Sequence, residues 1–277
     1  MKMAMSSHDL LSGSRGARWR GSICETLVEY DEVGRPSTVL KQLRTEHARN
    51  DVYRSAIARE TAVLAGFDRF GLPQLLAADP SAARPWIRYR WFPGVSVAMH
   101  GRGAGGPLAH VVATGLLGHI RHLHDDHDCV HGDVAASNVL VADRSSGVRI
   151  GLIDFGNAWC LDQPWRRAPQ LAYQAPEQMR GEAWSKPADI YQTGIVIHEV
   201  LTGARPERTD GAARPGSTVP REWCEWLGAV LAPSVIDRPD AGSAAEMVPV
   251  GVPSTTCCLQ PQADRMRTVN GHLEVSG

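Results

Sequence analysis

The chain has 277 residues, 43% hydrophobic and 21% charged, the composition of one ordinary globular unit with little room for a second. A formal net charge of -1 gives no global basic field, so neither nucleic acid nor an anionic membrane is an expected partner. The opening MKMAMSSHDLLSGSRG lacks a long apolar core and the apolar run Ile195 to Leu201 is interrupted by His198 and Glu199, so no signal peptide or membrane span is read and a cytoplasmic location is expected.

In chain order, residues 1–8 read as a flexible N-terminus. Asp9 to Leu43 reads as strands and turns, with CETLVEY (24–30) and STVLKQL (37–43) flanking the turn formers Asp31, Gly34 and Pro36; this hairpin carries Lys41. Glu46 to Phe67 reads as a helix ending near Gly66, with Val52, Ile57, Val63 and Leu64 on one face and Glu60 inside it. Two short strands are expected within Leu72 to Trp91, a turn at WFPGVSV (91–97), and long helices over Ala109 to Asp125 and Ala188 to Leu201. The histidines of GHIRHLHDDHDCVHG (118–132) are read as decorating exposed and edge positions of the first of these helices: His119, His122 and His124. Gly203 to Pro220, rich in Gly, Pro, Arg and Thr, reads as a loop, and 248–277 as a flexible tail. The six cysteines show no CxxC pair and no metal-finger spacing, so they are expected as unpaired thiols, the adjacent Cys257-Cys258 included. The eight tryptophans are expected mostly in the core, with Trp159 and Trp165 beside Arg166 and Arg167 as a candidate acceptor lining.

The densest chemistry lies in VHGDVAASNVLVADRSSGVRIGLIDFG, Val130 to Gly156. Asp133 sits in a His-Gly-Asp triplet, Asn138 follows five residues on, two apolar strands (139–141 and 150–153) flank a Ser-Ser-Gly turn, and Asp154-Phe155-Gly156 closes the stretch. A hairpin of that kind brings Asp133, Asn138 and Asp154 to one place. Two carboxylates and an amide there suit metal-assisted phosphoryl transfer, because magnesium prefers hard oxygen ligands and most of the catalysis is positioning and charge neutralisation. Asn138 and Asp154 would hold the metal, and Asp133 would accept the proton of the attacking hydroxyl.

This ordered pattern resembles the protein-kinase-like superfamily, specifically a bacterial-type serine/threonine kinase with an aminoglycoside-phosphotransferase-like HGD loop. The resemblance extends from about residue 9 to 247. TVLK with Lys41 is similar to the family's VAIK strand, and Glu60 follows on the next helix. Ala175-Pro176-Glu177 matches APE, Asp189 and Gly194 in DIYQTG match the helix-start Asp and Gly, and Arg238-Pro239 matches a late RP. It implies a two-lobed α+β fold, a small antiparallel-sheet lobe with one helix (about 9–91), a hinge (about 91–94) and a mainly helical lobe (about 95–247). It implies ATP and Mg2+ as cofactors, a Lys41–Glu60 ion pair on the phosphates, Gly21 and Ile23 in the covering loop, Trp91, Phe92 and Pro93 at the adenine, and Tyr89 at the back of the pocket. It further implies a buried Glu177–Arg238 pair and an Asp189 that hydrogen-bonds the catalytic loop.

The departures bear on mechanism. Gly13, Gly16 and Gly21 lack G-x-G-x-x-G spacing. Gly132 replaces the arginine that pairs with a phosphorylated segment, and 157–172 contains no Ser, Thr or Tyr, so switching by phosphorylation there is not expected. Ala135 stands where serine/threonine kinases carry a Lys, Ser137 where tyrosine kinases carry an Arg, and Gln170 where a Thr is usual. The expected reaction is transfer to a protein or peptide hydroxyl, Ser or Thr favoured. The alternatives are a phosphotransferase for a small hydroxylated molecule, suggested by HGD and the missing Lys, and a pseudokinase scaffold, suggested by the poor glycine loop and Ala135.

Overall fold

The computed structural model describes residues 18–250 apart from 144, 146, 161–170 and 183. Gly13, Gly16, Trp165, Arg166, Arg167, Gln170, Cys257 and Cys258 lie outside the described residues.

The polypeptide opens with β1 (Arg18–Arg20), β2 (Cys24–Tyr30) and β3 (Pro36–Leu43). Asp31 makes the β2–β3 turn: its Oδ1 accepts from the amides of Val33 and Arg35 at 3.0 and 2.7 Å, and Gly34 takes the left-handed conformation at φ 76°. With β4 (Leu75–Asp79) and β5 (Trp86–Arg90) these strands form an antiparallel sheet in the order β1-β2-β3-β5-β4. Helix α1 (Asp51–Ala65) packs on it. The helix begins later than the apolar spacing suggests, because Thr45–His47 forms a separate 3-10 turn and Asn50 caps α1 through bonds from the Val52 and Tyr53 amides. Ile57, Val63 and Leu64 are buried as expected, but Val52 lies in the first turn and is 49% exposed.

The larger half follows. Two short elements, β6 (Val95–Ser96) and α2 (Val97–His100), lead into α3 (Gly106–Arg121) and then β7 (Cys129–Val130). Strands β8 (Val139–Ala142) and β9 (Arg149–Leu152) make the anticipated hairpin, with Val139 opposite Leu152. β10 (Trp159–Cys160) returns antiparallel to β7, and α4 (Pro176–Met179) precedes α5 (Lys186–Thr202). Every residue of α5 from Ala188 to Leu201 is buried, so this helix is the axis of the larger lobe. Helix α3 packs along it. A Cβ at Gly194 would lie 2.8 Å from Leu231 and Val230, so glycine lets the end of α6 (Arg221–Val230) approach α5 closely. Helix α7 (Ala241–Glu246) packs on α3. The α+β, two-lobed architecture is as the sequence implies.

Three expectations are corrected. Gly203 to Pro220 is not all loop: β11 (Glu207–Thr209) and β12 (Ala212–Arg214) form a hairpin around Asp210-Gly211, both at positive φ (52° and 80°). His119 and His124 are buried rather than exposed, because each has an internal partner: His119 Nε2 lies 2.9 Å from the Ile150 carbonyl oxygen and His124 Nε2 lies 3.0 Å from Asp189 Oδ2. Among the described residues no three His, Cys, Asp or Glu gather as a metal site. Finally, Cys129 and Cys160 are not separate thiols; the β7–β10 pairing sets them opposite each other and they form a disulfide. Among the described residues no helix is long and apolar enough to cross a membrane.

Candidate active site

Lys41 projects from the middle of β3, and the Glu60 carboxylate reaches it from α1; Nζ lies 2.8 Å from both Glu60 oxygens. Asp154 Oδ1 is on the other side, 3.0 Å away. Burial alone would lower the lysine's pKa, but Asp154 and Glu60 outweigh it and hold the ammonium charged well above its ordinary value. Tyr89 on β5 lies in the same field; its phenol is pushed up by burial first, with Lys41 opposing and Glu60 and Asp154 adding. Asp154 occupies the left-handed region (φ 65°), and glycine follows at 156 because a Cβ there would stand 3.2 Å from Lys41 Nζ and 3.3 Å from Asp154 Oδ1. Phe155 is buried edge-on to Phe67 and His131, with centroids 5.0 and 4.7 Å away, which holds the Asp-Phe-Gly turn against both the segment just after α1 and the loop below.

The loop itself is built from β7 to β8. Asn138 donates through Nδ2 to the Asp133 carbonyl at 2.8 Å, its own amide donates to Ala135 O at 2.8 Å, and its carbonyl accepts from Ile153 N at 2.9 Å. One residue thereby joins the Asp133 turn to the strand that delivers Asp154. His131 is neutral: burial lowers its pKa, and the nearby Asp189, Asp133 and Asp154 carboxylates only partly offset this. Its Nε2 donates to Ile153 O at 3.2 Å and Nδ1 accepts from the Asp133 amide at 3.2 Å, the tautomer these partners require. Below the loop, Asp189 at the start of α5 accepts from the amides of His131 (2.8 Å) and Gly132 (2.9 Å) as well as facing His124. Gln192, one turn on, accepts from Val134 N at 2.8 Å.

Farther out, Glu177 and Arg238 form a bidentate pair at 2.7 Å on each arm, both side chains buried. The guanidinium also donates to the carbonyls of Ala232, Pro187 and Pro233, and stacks 4.8 Å from the Tyr191 ring.

The protein kinase domain family model matches residues 103–221, a span that holds Asp133, Asn138 and Asp154. The probable serine/threonine-protein kinase PkwA of Thermomonospora curvata is 33% identical over 197 residues, 69% of this chain and 26% of that protein. The chain belongs to the protein-kinase-like superfamily. The serine/threonine-protein kinases PknJ of Mycobacterium tuberculosis (28% identical over 179 residues, 61% of this chain and 30% of that protein) and PknB of Mycolicibacterium smegmatis (26% over 180 residues, 60% and 28%) are further relatives. The chain thus spans between 26% and 30% of the length of these three relatives.

Some kinase-like features take forms the sequence did not reveal. Gly132 has φ 73°, and a Cβ on it would fall 2.2 Å from Cζ3 of Trp184 and 2.9 Å from the Asn157 carbonyl oxygen, so the indole fills the space beside it. Gly21 and Ile23 lie in the β1–β2 turn, which is closed by Gly21 N to Cys24 O at 2.9 Å. Its carbonyls are fastened from outside: Arg44 Nη1 donates to Gly21 O and Ser22 O at 3.0 and 3.2 Å, Arg44 N to Ile23 O at 3.0 Å, and the His47 ring meets Ser22 O. Ile23 and Cys24 line a small cavity with Lys41, Glu60 and Gly156. Trp91 donates its amide to Ser37 O at 2.9 Å, and the Phe92 ring rests on Gly151, where a Cβ would lie 2.8 Å from it. Sequence reasoning missed His124, Gln192 and the Tyr173 hydroxyl that donates to buried Glu199 at 2.8 Å, since nothing in their local text marks them.

Proposed function

We propose that the chain transfers the γ-phosphate of ATP, with Mg2+, to Ser or Thr hydroxyls of a protein or peptide. The observation that carries this reading is Lys41 Nζ held between Glu60 and Asp154, at 2.8 and 3.0 Å, beside the Asp133–Asn138 loop. A lysine kept charged in a largely buried cleft is suited to polyphosphate. The donor set fits magnesium: a carboxylate on Asp154 and, with its nitrogen engaged by the Asp133 carbonyl, the Oδ1 oxygen of Asn138. Bound there, the ion would neutralise charge on the phosphates. Lys41 positions the α- and β-phosphates, Glu60 positions Lys41, and a carboxylate oxygen of Asp133 takes the acceptor hydroxyl's proton. Trp91 and Phe92 supply main-chain groups to the adenine, and Gly21 and Ile23 cover the phosphates.

The protein acceptor is favoured by the Glu177–Arg238 pair and by Asp189, the scaffold the resemblance associates with protein kinases rather than with small-molecule enzymes. Gly132, the feature shared with the latter, has a local cause in Trp184. The missing Lys at Ala135 is expected to slow turnover, by about 10² to 10³ on the scale of one electrostatic contact.

The test is ADP formation with Mg-ATP alone, with generic protein substrates and with a panel of aminoglycosides and other alcohols, using Asp133→Asn as control. Protein-dependent turnover abolished in the variant is expected. Turnover only with a small alcohol would replace the acceptor, and neither turnover nor Mg-ATP binding would leave a scaffold.

A further inference from the structure

Cys129 ends the two-residue β7 segment's register against β10, where Cys160 stands opposite it and is bonded to it. The bond sits at a junction. Beyond Cys129 and Val130 the chain runs directly into His131-Gly132-Asp133, and β10 begins five residues after Asp154, at Trp159. The disulfide, with a sequence separation of 31, closes a loop that contains Asp133, Asn138 and Asp154 together. Cys129 is 2% exposed and Cys160 is partly exposed, so Cys160 is the less buried partner of the two. β10 pairs with β7 and also touches α1, but a phosphate-to-cation contact cannot reinforce it. Residues 157–172 offer no hydroxyl for a phosphate, and Gly132, whose space Trp184 fills, offers no cation to bind one.

We propose that Cys129–Cys160 is a reversible thiol–disulfide site, exchanged with low-molecular-weight thiols and disulfides, whose bonded form keeps β10 on β7 and the phosphotransfer residues assembled. The consequence for turnover rests on the phosphotransferase reading above. In oxidation the Cys160 thiolate attacks a small disulfide RSSR, forming a mixed disulfide and releasing RS-. The Cys129 thiolate then attacks the Cys160 sulfur, releasing the second RS-. Two protein thiols and one RSSR become one protein disulfide and two RSH, with the two protons passing to the thiolates released. Reduction by a dithiol runs the same exchange backwards, with Cys160 the less buried sulfur for attack and Cys129 the leaving thiolate.

The test equilibrates the full chain in reduced and oxidised glutathione, traps thiols, quantifies the linked Cys129–Cys160 peptide by mass spectrometry, and measures ADP formation in parallel. The linked peptide and turnover are expected to rise and fall together, turnover dropping about five- to tenfold on full reduction, at the low end of ordinary site coupling. Cys160→Ser should stay at the reduced level whatever the buffer, and Cys224→Ser should respond as the parent does. Equal turnover in both states, no linked peptide under oxidising conditions, or a redox response that survives in Cys160→Ser would overturn the proposal. If neither state turns over, the phosphotransferase reading fails separately. Hydrogen exchange at the Val130 and Trp159 amides then decides: faster exchange on reduction supports the link, and unchanged exchange refutes it.

Discussion

Gly132→Ala tests the packing around the Asp133 turn most sharply. Two costs are separable. The left-handed backbone at φ 73° costs an L-residue about 1–2 kcal/mol. The new methyl would then stand 2.2 and 2.5 Å from Cζ3 and Cε3 of Trp184, and moving a nearly buried indole is an overpacking event of about 1–3 kcal/mol. The total is about 3 kcal/mol, which for a chain of this size lowers Tm by roughly 6–12 °C. Urea unfolding of parent, Gly132→Ala, Trp184→Ala and the double variant completes a cycle. Without the indole only the backbone cost and the contact with the Asn157 carbonyl remain, so the alanine should be about 1–3 kcal/mol less damaging there. An equal cost in both backgrounds, within about 0.5 kcal/mol, would refute the claim that Trp184 is why this position is glycine.

Three further outcomes are expected. Glu177→Ala strands a buried guanidinium and should cost about 3–5 kcal/mol in chemical denaturation, whereas Glu177→Leu combined with Arg238→Met should cost clearly less than the sum of its parts. His119 is buried, and burial first, then Arg69 and His122, pull its pKa from 6.5 to about 4 against the opposing bond to Ile150. Between those values the unfolded chain binds the proton that the folded chain refuses, so stability is full above pH 6.5 and falls as pH drops towards 4, by at most roughly 3 kcal/mol. His119→Gln should flatten that part of a stability-versus-pH curve measured by urea unfolding; an unchanged slope would place the titration elsewhere. Asp189→Asn weakens the carboxylate that receives the His131 and Gly132 amides, and should reduce turnover while leaving Mg-ATP affinity within about threefold, since Asp189 touches none of the nucleotide-binding candidates; an equal loss in both would count against a role confined to the loop.

Elements whose signal is local were legible. The β2–β3 hairpin announces itself through its turn formers, and the β8–β9 hairpin through its two apolar runs. Lys41 and Glu60, 19 residues apart, and Glu177 and Arg238, 61 apart, were found through motif order and resemblance rather than periodicity. What escaped depends on tertiary neighbours. No spacing rule pairs Cys129 with Cys160, since their apposition is made by β7 and β10 folding together. The buried histidines read as polar because their partners, Ile150 O and Asp189, are distant in sequence. One miss was avoidable: Asp210-Gly211 is a two-residue hairpin signal, obscured by the Pro- and Gly-rich text around it.

The fastening of the β1–β2 turn has a calorimetric consequence. With the carbonyls of Gly21, Ser22 and Ile23 already engaged by Arg44 and His47, the strip expected to lie over the phosphates is ordered before any nucleotide arrives. Little of the entropy usually lost when a loose loop settles on its ligand is then left for the binding step. Nucleotide association should accordingly show a smaller entropic penalty than in an Arg44→Ala form, where the same turn must be immobilised by the ligand itself.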